Sequence, residues 1–92
     1  MLDLMTVVKK SECQVSCVLD DDVAILNLDR AVYFGLTDVG AHIWDGLQEP
    51  RTVAEICEAV MTHFDVTTDA CRADVSRFLV SLREAGLIEV VR

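Results

Sequence analysis

The stretch Val32-Tyr33-Phe34-Gly35-Leu36-Thr37-Asp38-Val39-Gly40-Ala41-His42-Ile43-Trp44 changes its period half-way along. Its first part is β-branched and aromatic, which suits a pleated strand. Thr37 is an N-cap candidate, and Val39, Ile43, Trp44 and Leu47 then recur at helical spacing. The segment therefore reads as a strand feeding a helix. Tyr33 and Gly35 face one side of that strand, and Val32, Phe34 and Leu36 the other. Tyr33, Phe34 and Leu36 are more large apolar groups than one buried side of a small sheet needs. The segment has no Lys and no Pro to blunt an edge, and Gly35 lets a second backbone approach. The strand is expected to keep its edge open for another chain.

Upstream lie further strands. Thr6-Val7-Val8 is short and β-branched. Val15, Cys17 and Leu19 alternate with Ser16 and Val18, and Val23 to Leu28 are almost all apolar. Asp29-Arg30-Ala31 has hairpin length. Asp20-Asp21-Asp22 lacks the ligand spacing of a calcium loop and reads as a solvated turn. The pattern is a small antiparallel meander.

Downstream come three helices. The first runs from about Asp38 to Leu47 and is stopped near Pro50. The second opens on a capping box, Thr52 with Glu55, and carries the stripe Val53, Ile56, Cys57, Val60, Met61, Phe64. The third is capped by Thr67 or Thr68. Its stripe is Cys71, Val75, Phe78, Leu79, Leu82, Ala85, and Gly86 is its stop. Leu87 to Val91 can form a closing strand. The fold class expected is α+β: a three-stranded antiparallel sheet followed by three helices, resembling a winged helix-turn-helix, in a single domain over residues 1–92.

The 92 residues are 52% hydrophobic and 26% charged, as in a folded chain, with a formal net charge of −8. That charge opposes binding to nucleic acid or an anionic membrane. No apolar run reaches the roughly 20 residues needed to cross a bilayer. The N-terminus lacks signal-peptide character, so a cytoplasmic location is expected. Cys13, Cys17, Cys57 and Cys71 form no Cys-x-x-Cys pair and read as small buried hydrophobes.

An enzyme should show a nucleophile with a base, paired acids or metal ligands. No such set has convincing spacing. His42 sits beside an apolar stripe, and His63 at a helix C-terminus is favoured by the macrodipole. The four glycines make no phosphate loop. No catalytic residue, metal or cofactor is expected.

In order, the chain carries Ile25-Leu26-Asn27-Leu28, Tyr33-Phe34-x-Leu36, Gly40-Ala41-x-Ile43-Trp44, Thr52-Val53-x-Glu55-Ile56, Phe64-Asp65-Val66, then Asp74-Val75-x-x-Phe78-Leu79-x-x-Leu82-x-x-x-Gly86-Leu87. Each piece is weak alone. Together, over roughly residues 5 to 90, they closely resemble the PqqD family. The resemblance implies a peptide chaperone, or precursor-peptide recognition element. Such a domain binds the leader of a ribosomally made peptide and presents it to a radical SAM enzyme, leader peptidase or cyclase. It implies that the leader adds as an antiparallel strand beside the third strand, in a groove walled by the third helix. The residues this points to are Val32, Tyr33, Phe34, Gly35 and Leu36 on the strand. On the helix they are Asp74, Val75, Arg77, Phe78, Leu79, Ser81 and Leu82. Val75 and Leu82 read as core rather than groove, Tyr33 and Phe78 as groove. Arg72 and Arg83 mark the opposite margin of the helix. Val23-Ala24-Ile25 replaces a Tyr-Pro-Glu-Gly-like segment of the quinone-cofactor members, so a lasso-peptide or other modified-peptide pathway fits at least as well.

Two alternatives share this outline. A winged-helix DNA-binding regulator would read DNA with residues 69 to 84, but Arg72, Arg77 and Arg83 are balanced there by Asp69, Asp74 and Glu84. A structural dimerisation domain would use the open edge for a second copy. The partners expected are a leader peptide and its modifying enzyme, with the chain a monomer or weak homodimer.

Overall fold

The computed structural model describes residues 3–20, 22–36 and 38–91. They form β1 (Val7–Lys10), β2 (Gln14–Leu19), β3 (Asp22–Asn27), β4 (Val32–Leu36), α1 (Asp38–Gly46), β5 (Arg51–Thr52), α2 (Val53–His63), α3 (Thr68–Glu84) and β6 (Ile88–Val91). The expected meander is β2-β3-β4, antiparallel throughout. The three helices follow it, so the α+β class holds.

One feature was not expected. Val7–Lys10 leaves the meander and becomes the centre of a second sheet, β5-β1-β6, with Val7 opposite both Thr52 and Val91. These partners lie far along the chain, where local pattern carries no pairing information. The same N-terminal segment closes the start of α2: the carbonyls of Thr6 and Leu4 accept from Val53 N–H and Ala54 N–H. These are among the amides a helix start leaves without a partner.

The helix ends follow their local chemistry. Thr52 Oγ1 accepts from Glu55 N–H at 3.1 Å, and Glu55 Oε1 accepts from Thr52 N–H at 2.9 Å, completing the capping box. Thr67 Oγ1 caps α3 through Ala70 N–H. At the far end Gly86 has φ +76°. Its N–H bonds the Arg83 carbonyl and that of Leu87 bonds the Leu82 carbonyl, a Schellman stop. Thr37, the cap expected for α1, lies outside the described residues.

The core runs between the helices and the inner faces of the sheets. Val23, Ile25 and Leu36 enter it from β3 and β4, Ile43, Trp44 and Leu47 from α1 and its end. Val53, Ile56, Cys57 and Val60 come from α2, and Cys71, Val75, Leu79 and Leu82 from α3. Lys10 lies over the Trp44 ring at 4.6 Å, and burial pushes its pKa down, partly offset by Asp45. No described helix is long and apolar enough to cross a membrane.

The cysteines divide. Cys57 and Cys71 are buried, and the Cys57 thiol is pushed up to about 11, chiefly by burial and then by Cys71. Cys13 and Cys17 are exposed, against the expectation that all four would be buried. The reason is local. The Cys17 row of the meander faces outward, and Cys13 precedes β2 beside the turn that holds Asp29.

Candidate functional site

The β2-β3-β4 sheet ends at β4, and β4 has no strand on its far side among the described residues. Which of its main-chain groups meet that edge follows from hydrogen-bond parity. Leu28 N–H bonds the Cys13 carbonyl, so Leu28 points toward β2. The register is unbroken from Leu28 through β3, and alternation then aims Ile25 and Asn27 at β4, Leu26 and Ala24 at β2. Phe34 and Val32 bond back to Ile25 and Asn27. Tyr33 and Gly35, opposite Leu26 and Ala24, turn their N–H and C=O outward.

The side chains of β4 split as the pattern required. Phe34 and Leu36 point inward, Leu36 buried and Phe34 partly so. Tyr33 stands 66% exposed on the outer face in one row with Val15 and Leu26. Gly35 shares the next row with Ala24 and Cys17, and a Cβ there would meet nothing within 4 Å. A guest backbone beside Gly35 finds no obstruction on that face.

Helix α3 reaches this part of the sheet through Phe78. A Cβ on Gly40 would lie 3.3 Å from the Phe78 ring and 3.7 Å from Leu36 Cβ, so Phe78, Leu36 and the first turn of α1 meet. Phe78 and Phe34 are both half-buried against the core. Asp74 and Ser81 lie at i−4 and i+3 from Phe78 and share its face, whereas Arg72 and Arg83 project elsewhere. Asp74 and Ser81 thus lie on the Phe78 side of the helix. Arg77 Nη2 pairs with Asp74 Oδ1 at 3.2 Å, but both side chains are about three-quarters exposed, so the pair adds little rigidity.

Not every sequence-predicted residue is accessible. Val75, Leu79 and Leu82 are core residues, 2% exposed or less, and support α3 from behind. Sequence reading missed Asn27. It is 2% exposed and uses its whole carboxamide. Nδ2 donates to the Ala85 and Gly86 carbonyls at 3.0 and 3.1 Å, and Oδ1 accepts from Asp29 N–H and Arg30 N–H at 2.9 Å each. Arg30 Nη1 adds a bond to the Glu84 carbonyl. The turn into β4 is thereby fastened to the end of α3. A polar residue in an otherwise apolar strand, Leu26-Asn27-Leu28, was the available signal.

A concavity of about 330 Å³ opens between α1 and α2. His42, Asp45, Glu55 and His63 line it, with the two imidazoles 4.5 Å apart centre to centre. No cluster of three metal-ligating side chains exists among the described residues.

The family model for coenzyme PQQ synthesis protein D, PqqD, matches residues 22–88. The chain belongs to the PqqD family. No curated protein sequence matches it. Among solved structures, "TbiB1 in Complex with the TbiA(beta) Leader Peptide" is similar to this PqqD-family chain. The TM-score is 0.83 and the identity 36%, over 88% of this chain and 94% of that one.

Proposed function

We propose that this PqqD-family chain is a leader-peptide recognition module. It captures a ribosomally synthesised precursor by strand addition along β4 and presents it to a modifying enzyme such as a radical SAM enzyme, a leader peptidase or a cyclase. The carrying observation is the uncovered edge at which Tyr33 and Gly35 turn out their main-chain groups, with the half-buried Phe34 and Phe78 on the inner side. Strand addition draws affinity from main-chain hydrogen bonds and specificity from pockets for alternate side chains, and the outward groups of Tyr33 and Gly35 supply the former. Membership of the family and likeness to a protein solved with a leader peptide support the reading.

On this reading Val32, Tyr33, Phe34, Gly35 and Leu36 form the receiving strand. Phe78, Asp74, Ser81 and Arg77 form the margin, and Val75, Leu79 and Leu82 hold it in place. The chain acts as one binding domain in the cytoplasm, a monomer or weak homodimer, and leaves the chemistry to its enzyme. A DNA-reading role is disfavoured, since Arg77 on α3 is already paired with Asp74 and the net charge is −8.

The test is calorimetric titration of the chain with the precursor peptide encoded beside its gene, against duplex DNA at low salt. Saturable binding of the precursor with no salt-sensitive DNA binding is expected. The reverse outcome would favour the regulator.

A further inference from the structure

We propose that β2 is a second strand-addition edge. It receives an extended segment of a partner protein that is apolar in its middle and carries Lys or Arg at both ends. The same parity that opens β4 opens β2. Cys13, Val15 and Cys17 bond toward β3, so Gln14, Ser16 and Val18 turn their N–H and C=O away from the sheet. No strand covers them among the described residues.

The usual protections of an edge are missing. β2 has neither Lys nor Pro, and its six-residue register with β3 is unbroken, so no bulge twists it away. Apolar side chains are exposed on both faces: Val15 at 54% on the outer face and Val18 at 71% on the inner, where the strand overhangs the core.

Charge selects the occupant. Glu12 precedes β2, Asp20 and Asp22 follow it, and no Lys or Arg lies between residues 12 and 22. A second copy pairing antiparallel about Ser16 would set Glu12 opposite the other copy's Asp20; about Cys17, it would set Glu12 opposite Asp22. Both registers bring like charges together, which is destabilising across a strand pair. A guest with cationic ends meets attraction at both places. Strands lie about 4.8 Å apart, so guests on β4 and β2 would be about 19 Å from each other in one continuous sheet. That brings a leader and a partner protein together on one small scaffold. The proposal does not depend on the leader assignment, because leader occupancy is read at Tyr33 and Gly35.

The experiment follows amide hydrogen exchange of the ¹⁵N-labelled full chain with the synthetic peptide Lys-Lys-Val-Thr-Val-Thr-Val-Lys-Lys, and with its counterpart carrying Glu for every Lys. The lysine peptide should slow exchange at Ser16 and Val18 by about tenfold or more at low salt, less as salt rises. The glutamate peptide should not. Ser16→Pro removes an outward donor and should abolish the effect. Val18→Lys, at an exposed position that cannot threaten the fold, should weaken it through repulsion. Equal protection by both peptides, protection confined to Tyr33 and Gly35, or Ser16 and Val18 amides already protected in a concentration-dependent way without peptide would each overturn the proposal.

Discussion

The Asn27 carboxamide donates to the Gly86 carbonyl at 3.1 Å, joining residues 59 apart in sequence. Gly86 is also what makes room for it: a Cβ there would lie 2.6 Å from Asn27 Nδ2. The turn that leads from β3 into β4 is thus fixed to the end of α3. Phe78 adds a second meeting point, beside Leu36 and Gly40.

Asn27→Ala should therefore cost about 2–4 kcal/mol, since it strips buried partners from several main-chain groups at once. Gly86→Ala combines a positive φ with a collision and should cost at least about 1–2 kcal/mol. Chemical denaturation of both variants measures this. Asn27→Asp should be no better than Ala, because it replaces two donors by charge facing carbonyls.

Prolines along β4 separate the guest's hydrogen bonds from the host's. Tyr33→Pro removes an outward N–H and should leave the chain folded while lowering precursor affinity by about tenfold, the worth of one or two main-chain bonds. Phe34→Pro removes a bond to β3 and should lower stability instead. Circular dichroism melts with calorimetry on the same samples distinguish the two.

The two faces of α3 should respond differently to truncation. Leu79→Ala empties a fully buried site and should cost about 2–5 kcal/mol of stability. Phe78→Ala, at a half-buried site beside Leu36 and Gly40, should cost less stability and more precursor affinity.

Thiol labelling checks where the sheet is covered. Cys13 and Cys17 should react in the folded chain, while Cys57 and Cys71 should wait for unfolding. A hydrogen bond with the Asp29 carboxylate and its charge push the Cys13 thiol up, so its reaction should need more alkaline solution than an ordinary exposed thiol.

Acid should loosen the start of α2. The hydrogen bonds from Thr52 hold the Glu55 carboxyl below its usual range. A depressed carboxyl contributes stability above its unfolded pKa and loses it as pH falls through the folded value. The contribution should be complete at neutral pH, begin to fade as pH falls through about 4.5, the ordinary glutamate value, and be gone below the depressed folded value. Glu55→Gln keeps a capping-box acceptor and should flatten that part of the pH profile, as followed by thermal melts.

The elements that local chemistry decides were legible in the sequence. Thr52 with Glu55, Thr67 and Gly86 mark helix ends, and the stripes of α2 and α3 are the buried ones. The two elements of the candidate site, β4 and α3, were legible as a strand and a helix, but not in their details. Whether Tyr33 or Phe34 offers its N–H to a guest depends on pairing parity, which no single strand encodes. The exposure of Cys17 depends on which strand lies at the sheet border. The second sheet joins the chain's beginning to its end. Asn27 reads as an ordinary turn neighbour until the end of α3 arrives beside it.

The most direct measurement is amide hydrogen exchange across β4 with and without the precursor peptide encoded beside this gene. If the leader adds as a strand, Tyr33 and Gly35 exchange freely in the unbound chain and become protected on binding, while Phe34 is protected in both states. Tyr33 and Gly35 amides that are already protected without peptide, or that stay unprotected in a saturated complex, would contradict strand addition at this edge.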